Sequence, residues 1–145
     1  MKTNPIGHFP SGQPILPVRQ ADRSPKRVFV LGVYASAVHA RWISPEGRTR
    51  IAALAVASEP EIFWPGLGAE QIIAGITPPD GTGRLEPAAK TLNGPSGRAL
   101  DEGILSPLGL SRSDAWLCDL VPHSYMNPSQ EAALRREGLP IPDWP

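Results

Sequence analysis

Short runs of consecutive apolar residues limit the folds that are open to this chain. Residues 27–34 read RVFVLGVY, and a continuous apolar run bounded by loop residues is typical of a strand buried on both faces, as in a parallel sheet. Residues 50–57 (RIAALAVA) and 115–121 (AWLCDLV) are predicted to be two further strands. In the last of these, Trp116 is predicted to be buried, in alternation with Cys118.

Helices are predicted in the segments that separate and follow these strands. They cover residues 35–42, 68–76, 96–108 and 129–137. In the third helix Leu100, Ile104 and Leu108 recur at a spacing of four, which places them on one face. In the last, Ser129 is the predicted N-cap and Gly138 the stop signal. Alternation of strands and helices favours an α/β fold with a mostly parallel sheet.

Proline and glycine indicate how the domain is organised. The chain has 18 prolines and 14 glycines in 145 residues, and this content predicts long ordered loops around a compact centre. Residues 1–25 contain five prolines and show no helical or strand period, so they are predicted to form an extended N-terminal arm. Residues 26–145 have the length of a single α/β domain with its own core.

Charge and cysteine content exclude several classes of protein. The formal net charge is zero. The composition therefore gives no support for a generally basic surface that binds nucleic acid. Cys118 is the single cysteine, so an internal disulfide and a cysteine-rich zinc or iron–sulfur site are excluded, and no metal or cofactor is expected. There is no run long enough to span a membrane and no apolar signal core after Met1-Lys2. A soluble cytoplasmic protein without a membrane partner is therefore expected.

Two loops are candidates for a functional site, because ligands of parallel sheets bind where the strands end. They are residues 32–36 and residues 119–125. Asp119 interrupts an apolar strand, and a buried carboxylate needs a partner or a function. The alternative interpretation is that Asp119 caps the next loop. His123 follows the same strand end, where it is either a functional histidine or an ordinary loop residue.

The stretch 94–127, read together with 28–34, resembles the uracil-DNA glycosylase superfamily. Thermostable and bacterial branches of that superfamily carry a Gly-x-x-Gly-x-x-Leu-Asp segment, a helix, a Gly-Leu-x-Arg turn and a strand that ends in an Asn-centred motif. The same order appears here as GPSGRALDEGILSPLGLSRSDAWLCDLVPH, and VFVLGVY looks like the strand before the family's water-activating motif. Together these segments cover somewhat over a quarter of the chain.

This resemblance implies a three-layer α/β/α domain with a mostly parallel central sheet. It also implies a DNA or nucleobase-containing partner, since these enzymes accept a base flipped out of DNA and cut its N-glycosidic bond with water. The substrate-binding positions that it implies are Gly32, Val33, Tyr34, Leu92, Asn93 and Asp119. Candidates for a catalytic group are Tyr34, His39 and His123.

The chain departs from the family pattern at the positions that carry the chemistry. The family places Asp, Asn or Glu directly after the first glycine, where this chain has Val33 and Tyr34. Leu92 stands where some members have a stacking Phe, and Asp119 replaces the base-reading Asn. An ionised Asp only accepts hydrogen bonds, so it would repel a uracil carbonyl and favour an amino group or a ring N–H.

The C-terminal part also departs from the family. A His-Pro-Ser or Asn-Pro-Ser motif belongs well past the Asn strand, whereas Asn127-Pro128-Ser129 follows Asp119 closely and is predicted to be a turn and helix cap. Family members continue beyond the point that corresponds to Pro145, so the chain is interpreted as either a truncated form or a reduced relative. Three hypotheses stay open: a glycosylase or related hydrolase, a non-catalytic module that binds a base, nucleotide or nucleic acid, and a protein-interaction domain.

Overall fold

The computed structural model describes residues 5–142. Five strands follow one another along the chain: β1 Val28–Tyr34, β2 Ala37–Ile43, β3 Thr49–Ser58, β4 Arg84–Pro87 and β5 Ala115–Val121. The α-helices are α1 Ala69–Ala74, α2 Pro95–Leu100 and α3 Pro128–Arg136. Short 3-10 turns cover Lys90–Leu92, Ser106–Leu108 and Arg112–Asp114, and a π-helical turn covers Asp101–Leu105. The protein is therefore a mixed α/β structure, as the alternation of patterns predicts.

Strands β1 and β5 form a parallel pair, although most of the chain lies between them in sequence. Their register pairs Val28 with Ala115 and Gly32 with Asp119. The prediction of parallel pairing is confirmed for these two strands. Their C-terminal ends consequently lie side by side at one edge, with Tyr34 beside Val121.

The other sheet is antiparallel, with strand order β3-β2-β4. The predicted helix over residues 35–42 is wrong, because that segment is strand β2 and forms a hairpin with β3. Burial alternates along the middle of β2. Val38, Ala40 and Trp42 are buried, whereas His39 is partly exposed and Arg41 is exposed. This period of two, with a partner strand close in sequence, outweighs the helix propensity of the alanines. The catalytic candidate His39 therefore lies on a strand.

The helical segments differ from their predicted form in detail. The predicted helix 96–108 is α2 followed by the π-helical turn and a 3-10 turn that contains Pro107, whose ring nitrogen has no N–H to donate. The N-cap of α3 is Asn127, not Ser129, because Pro128 occupies the first helical position and the Asn127 side chain accepts the Gln130 N–H at 2.9 Å.

The core consists of two main clusters of buried side chains. The larger cluster lies between the antiparallel sheet and helices α1 and α3, with Trp42, Leu54 and Leu134 fully buried. The second lies under one face of the β1–β5 pair, where Leu100 of α2 and Leu105 of the π-helical turn pack with the strand residues on that face. Each sheet is thus covered by helical residues on at least one side.

The side chains of β5 alternate between the two faces of the parallel pair. Ala115 and Leu117 face the second cluster, whereas Trp116 and Cys118 lie on the opposite face and are partly exposed. The prediction that Trp116 is buried is therefore wrong. The Arg23 guanidinium lies over the Trp116 ring, 5.9 Å from its centroid, so the N-terminal arm contacts that face.

The N-terminal arm packs against the rest of the protein. From residue 5 onwards it contains no helix or named strand, but Phe9 and Ile15 are buried in a small cluster against Ala37 and Ala55. The Gln20 side-chain amide also donates to the Ala115 carbonyl and accepts the Leu117 N–H, both at 2.9 Å. The Gln20 side chain therefore forms hydrogen bonds with two backbone groups of β5 on the edge that does not pair with β1. None of the helices within residues 5–142 has the length and apolar character needed to cross a membrane.

Candidate functional site

A cavity of about 290 Å³ opens where β1 and β5 end. Its volume lies at the small end of the range of ligand pockets, which suits a ligand the size of a planar heterocycle. Residues from four separate segments line it: Gly32, Val33, Tyr34, Ser36, Glu59, Phe63, Ser96 and Asp119. The paired ends of parallel strands are the usual position for a site in an α/β sheet, because the following loops diverge there.

Gly32 allows the two strands to bring a carboxylate and an aromatic ring together. A Cβ atom on Gly32 would lie 2.2 Å from Asp119 Oδ1 and 3.0 Å from Phe63 Cζ. The first distance is shorter than a Cβ atom tolerates and the second is a tight contact, so glycine at this position leaves the space that the Asp119 carboxylate and the Phe63 ring occupy. Asp119 is partly exposed, and its burial raises the pKa of its carboxyl group.

Phe63 is held in a strained backbone conformation beside the cavity. Its φ of 50° is the one positive φ of a non-glycine residue among residues 5–142. Arg112 donates to the carbonyls of Ile62 and Phe63 and is paired with Asp101 at 2.7 Å. Gly97 packs so closely that a Cβ atom would lie 2.2 Å from the Phe63 carbonyl oxygen. Such strain persists only where surrounding contacts maintain it, and it is found at functional sites more often than elsewhere.

Glu59 is the buried carboxylate of the cavity. It directly follows β3 and is only 4% exposed. Burial, and then the negative charge of Asp119, raise the pKa of Glu59 to about 7, while the backbone N–H groups of Trp64 and Ser36 and the charge of Arg112 act in the opposite direction. Near neutral pH, Glu59 is therefore present in both its acid and its carboxylate form.

Sequence reasoning missed both Glu59 and Phe63, which lie in a segment interpreted as a loop. A signal for Glu59 was present: an acidic residue lies two positions after the apolar run of β3, and Asp119 likewise interrupts the apolar residues near the end of β5. Phe63 has no comparable local signal, because its position depends on Arg112 and Gly97, which are more than 30 residues away.

The structure brings together some of the predicted substrate-binding residues and separates others. Gly32, Val33, Tyr34 and Asp119 all line the cavity. Asn93 does not line it; its side chain accepts the His39 N–H at 2.7 Å and donates to the His39 carbonyl at 2.9 Å, which ties the loop after β4 to β2. Leu92 lies in the preceding 3-10 turn and is also outside the cavity.

The candidate catalytic groups lie in different environments. Tyr34 lines the cavity and is largely exposed. His39 Nδ1 lies 3.0 Å from the Ala37 carbonyl, and burial lowers the pKa of the imidazole. His123 follows β5; burial and then the charge of Arg19 lower its pKa. Neither histidine lines the cavity.

The arrangement favours hydrogen-bond donors in a flat ligand. Asp119 and ionised Glu59 accept hydrogen bonds, protonated Glu59 donates one, and the Ser36 and Ser96 hydroxyls do either. The Phe63 ring offers a surface for stacking. Within residues 5–142 no three His, Cys, Asp or Glu side chains are arranged so that they could hold a metal ion.

Comparison with known proteins adds no relative from which a function could be transferred. No family model matches the chain, and no curated protein or solved structure matches it either. A function for this chain is therefore inferred from the residues that line this cavity.

Proposed function

We propose that this chain is a uracil-DNA glycosylase-like domain that binds a base flipped out of DNA and hydrolyses its N-glycosidic bond. The observation that carries the proposal is the convergence of Glu59, Phe63 and Asp119 in one cavity at the ends of two parallel strands. These residues supply an acid–base group, a stacking surface and a hydrogen-bond acceptor, which are the three groups that such a reaction needs.

Base recognition is assigned to Asp119 and Phe63. Extrusion of a base costs a few kcal/mol, which stacking and hydrogen bonds to the base edge must recover. Asp119, as an acceptor, favours an amino group or ring N–H and disfavours a carbonyl oxygen at the same position. Adenine, cytosine and guanine derivatives offer an exocyclic amino group, whereas uracil offers only its N3–H between two carbonyl oxygens, so the amino-bearing bases fit this site better than uracil.

Water activation is assigned to Glu59. Its carboxylate accepts a proton from water while the water oxygen bonds to C1′ of the sugar. The C1′–N bond breaks, and the base leaves with the bonding electron pair. The base takes up a proton from solvent, and Glu59 returns its proton to solvent. A pKa of about 7 suits this role, because general bases work best when their pKa is near the operating pH. Glu59 thus offers the carboxylate that Val33 and Tyr34 cannot supply.

Base release from oligonucleotides tests the proposal. Purified protein is incubated with single- and double-stranded DNA that carries each normal base and a panel of deaminated, alkylated and oxidised bases, and the released base is measured by liquid chromatography. We expect release from a substrate whose base carries an exocyclic amino group, and a loss of roughly a hundredfold in Glu59→Gln. No release from any substrate would contradict the hydrolase proposal.

A non-catalytic base-binding module is the second candidate. It is favoured by Val33, which occupies the family's water-binding position but is 68% exposed and apolar. Under this hypothesis the protein binds nucleosides without cleaving them. Calorimetric titration with deoxyadenosine, deoxycytidine and deoxyuridine, in wild type and Asp119→Ala, measures this binding, and the absence or presence of base release distinguishes the two hypotheses. Affinity that is unchanged in Asp119→Ala would remove Asp119 from the binding site.

A further inference from the structure

A second cavity, of about 330 Å³, lies between the N-terminal arm and the end of β3. Its walls come from arm residues between Gln13 and Arg19 and from residues 57–60. Glu59 lines this second cavity and also lines the first cavity, at the ends of β1 and β5. The two cavities therefore adjoin at Glu59, the residue to which water activation is assigned.

Hydrogen bonds to two separate elements hold the arm beside the second cavity. The Leu16 N–H donates to Ser58 Oγ at 3.0 Å, and the Ser58 hydroxyl donates to the Leu16 carbonyl at 3.4 Å. The Val18 N–H donates to the carbonyl of Pro122, directly after β5, at 2.9 Å. Val18 is also buried in the cluster under the β1–β5 pair. The arm is thus a fixed wall of the second cavity.

Arg19 brings a positive charge to the second cavity. Its side chain is exposed, but the neighbouring Val18 and Gln20 are both anchored to the loop after β5 or to β5 itself. The charge of Arg19 lowers the pKa of His123, which places the two side chains near each other. Within residues 5–142 no acidic side chain forms an ion pair with Arg19. The guanidinium therefore has N–H donors to offer to an anionic group.

We propose that the second cavity holds the sugar and phosphate of the nucleotide whose base occupies the first cavity, with Arg19 paired to the phosphate. This inference rests on the proposed function. In the proposed reaction Glu59 acts at C1′, the atom that joins the base to the sugar. The base then lies on one side of Glu59 and the sugar and phosphate on the other, which matches two cavities that share this residue. A planar guanidinium pairs with phosphate oxygens through two parallel hydrogen bonds.

The two cavities divide recognition between them. Contacts to phosphate position a nucleotide and carry no information about its base, whereas contacts to the base edge carry that information. Arg19 therefore raises the affinity for every nucleotide equally, and Asp119 selects among the bases. Because the net charge of the chain is zero, this affinity depends on a local positive charge and not on a generally basic surface.

Calorimetric titration of the full chain with three probes tests the inference: deoxyadenosine, deoxyadenosine 5′-monophosphate and 2-deoxyribose 5-phosphate. We expect the wild type to bind the monophosphate about tenfold more tightly than the nucleoside, since hydrogen bonds to a charged group are strong. Arg19→Gln should bind the two equally and should lose its affinity for 2-deoxyribose 5-phosphate. Arg19 is exposed, so this change should not prevent folding, which circular dichroism checks.

Arg27→Gln is the matched control. Arg27 is also exposed, but it directly precedes β1, at the end of the strand opposite to the first cavity. It removes the same charge and should keep the preference for the monophosphate. An equal loss of this preference in Arg27→Gln and Arg19→Gln would overturn the inference, because the effect would then come from overall charge.

The probes also separate this inference from the proposed hydrolysis. Binding of 2-deoxyribose 5-phosphate that depends on Arg19, without base release from any oligonucleotide, would support the second cavity as a sugar–phosphate site and contradict the hydrolase. Base release from a protein that binds nucleoside and monophosphate equally would support the hydrolase and overturn the assignment of Arg19. A wild type that does not bind 2-deoxyribose 5-phosphate at millimolar concentration would overturn it as well.

Discussion

The antiparallel sheet and the parallel pair are built from similarly apolar strands but bury them to different extents. In the antiparallel sheet, five of the seven residues of β2 and five of the ten residues of β3 are buried, and Trp42 and Leu54 are fully enclosed. In the parallel pair, β1 has no fully buried residue at all. The first region supplies most of the core. The second supplies the cavity and leaves the apolar side chains of Phe29, Leu31, Val33 and Leu120 exposed. Stability and function are therefore expected to respond to mutations in different regions.

The largest expected difference in stability is between substitutions of large apolar strand residues in the two regions. Trp42→Ala removes a fully buried side chain whose Nε1 donates to the Thr82 carbonyl, and should lower the unfolding free energy by about 3–5 kcal/mol. Phe29→Ala removes a mostly exposed side chain and should cost less than about 1 kcal/mol in dilute solution. Denaturant titrations at low concentration measure both. Equal losses of unfolding free energy in the two variants would show that Phe29 is buried within a single chain.

The pH dependence of stability should depend on Glu59. Burial raises its pKa from an ordinary value of 4.5 to about 7, so the folded state binds this proton more tightly than the unfolded state. The contribution to stability is complete below about pH 4.5 and is lost as the pH rises through 7. Relative to Glu59→Gln, the wild type should lose up to about 3 kcal/mol across this window.

Two comparisons control this experiment. Burial lowers the pKa of His39, which gives the opposite slope, but His39 is the same in wild type and Glu59→Gln, so the difference between the two isolates Glu59. Asp119→Asn removes the second cause of the shift and should retain part of the dependence, because burial remains. Parallel pH curves for wild type and Glu59→Gln would show that Glu59 titrates normally.

A smaller effect is expected when the cavity is altered without damage to the core. Gly32→Ala would push against Asp119 Oδ1, a side-chain atom that can rotate away. We expect modest destabilisation but a loss of nucleoside affinity of about tenfold or more, because the carboxylate leaves its position. Gly103→Ala, which meets no atom within 4 Å, is the control and should affect neither property. Equal nucleoside affinity in Gly32→Ala and Gly103→Ala would show that Gly32 does not belong to the binding site.

The smallest effect concerns the cap of α3, which packs on the antiparallel sheet through Leu134. Asn127→Ala removes the side chain that accepts the Gln130 N–H and should cost about 1 kcal/mol. Ser129→Ala should cost less than about 0.5 kcal/mol, since surface substitutions away from caps are nearly neutral. Thermal unfolding measures both, and the opposite order would restore Ser129 as the cap.

About half of the candidate site could be predicted from the sequence. Gly32 and Asp119 were found because Gly32 lies near the end of one apolar run and Asp119 interrupts another, and the parallel pairing of those runs places them opposite each other. Phe63 was missed because Arg112 and Gly97 position it from distant parts of the chain. Asn93 was expected in the substrate-binding set, but its side chain is bonded to the backbone of His39. Such long-range contacts leave no periodic pattern in the sequence.

The sequence alone determined where β1, β3 and β5 run, because runs of apolar residues act through local geometry and burial. It predicted a mostly parallel sheet, which holds for β1 and β5 but not for β3, which lies in the antiparallel sheet. Only the tertiary structure decided that residues 37–43 form a strand, which face of β5 is buried, and that Glu59 lies beside Asp119. These outcomes depend on which distant segments meet. A partner strand, a covering helix or a second carboxylate changes the free energy of a residue without leaving a trace among its neighbours in sequence.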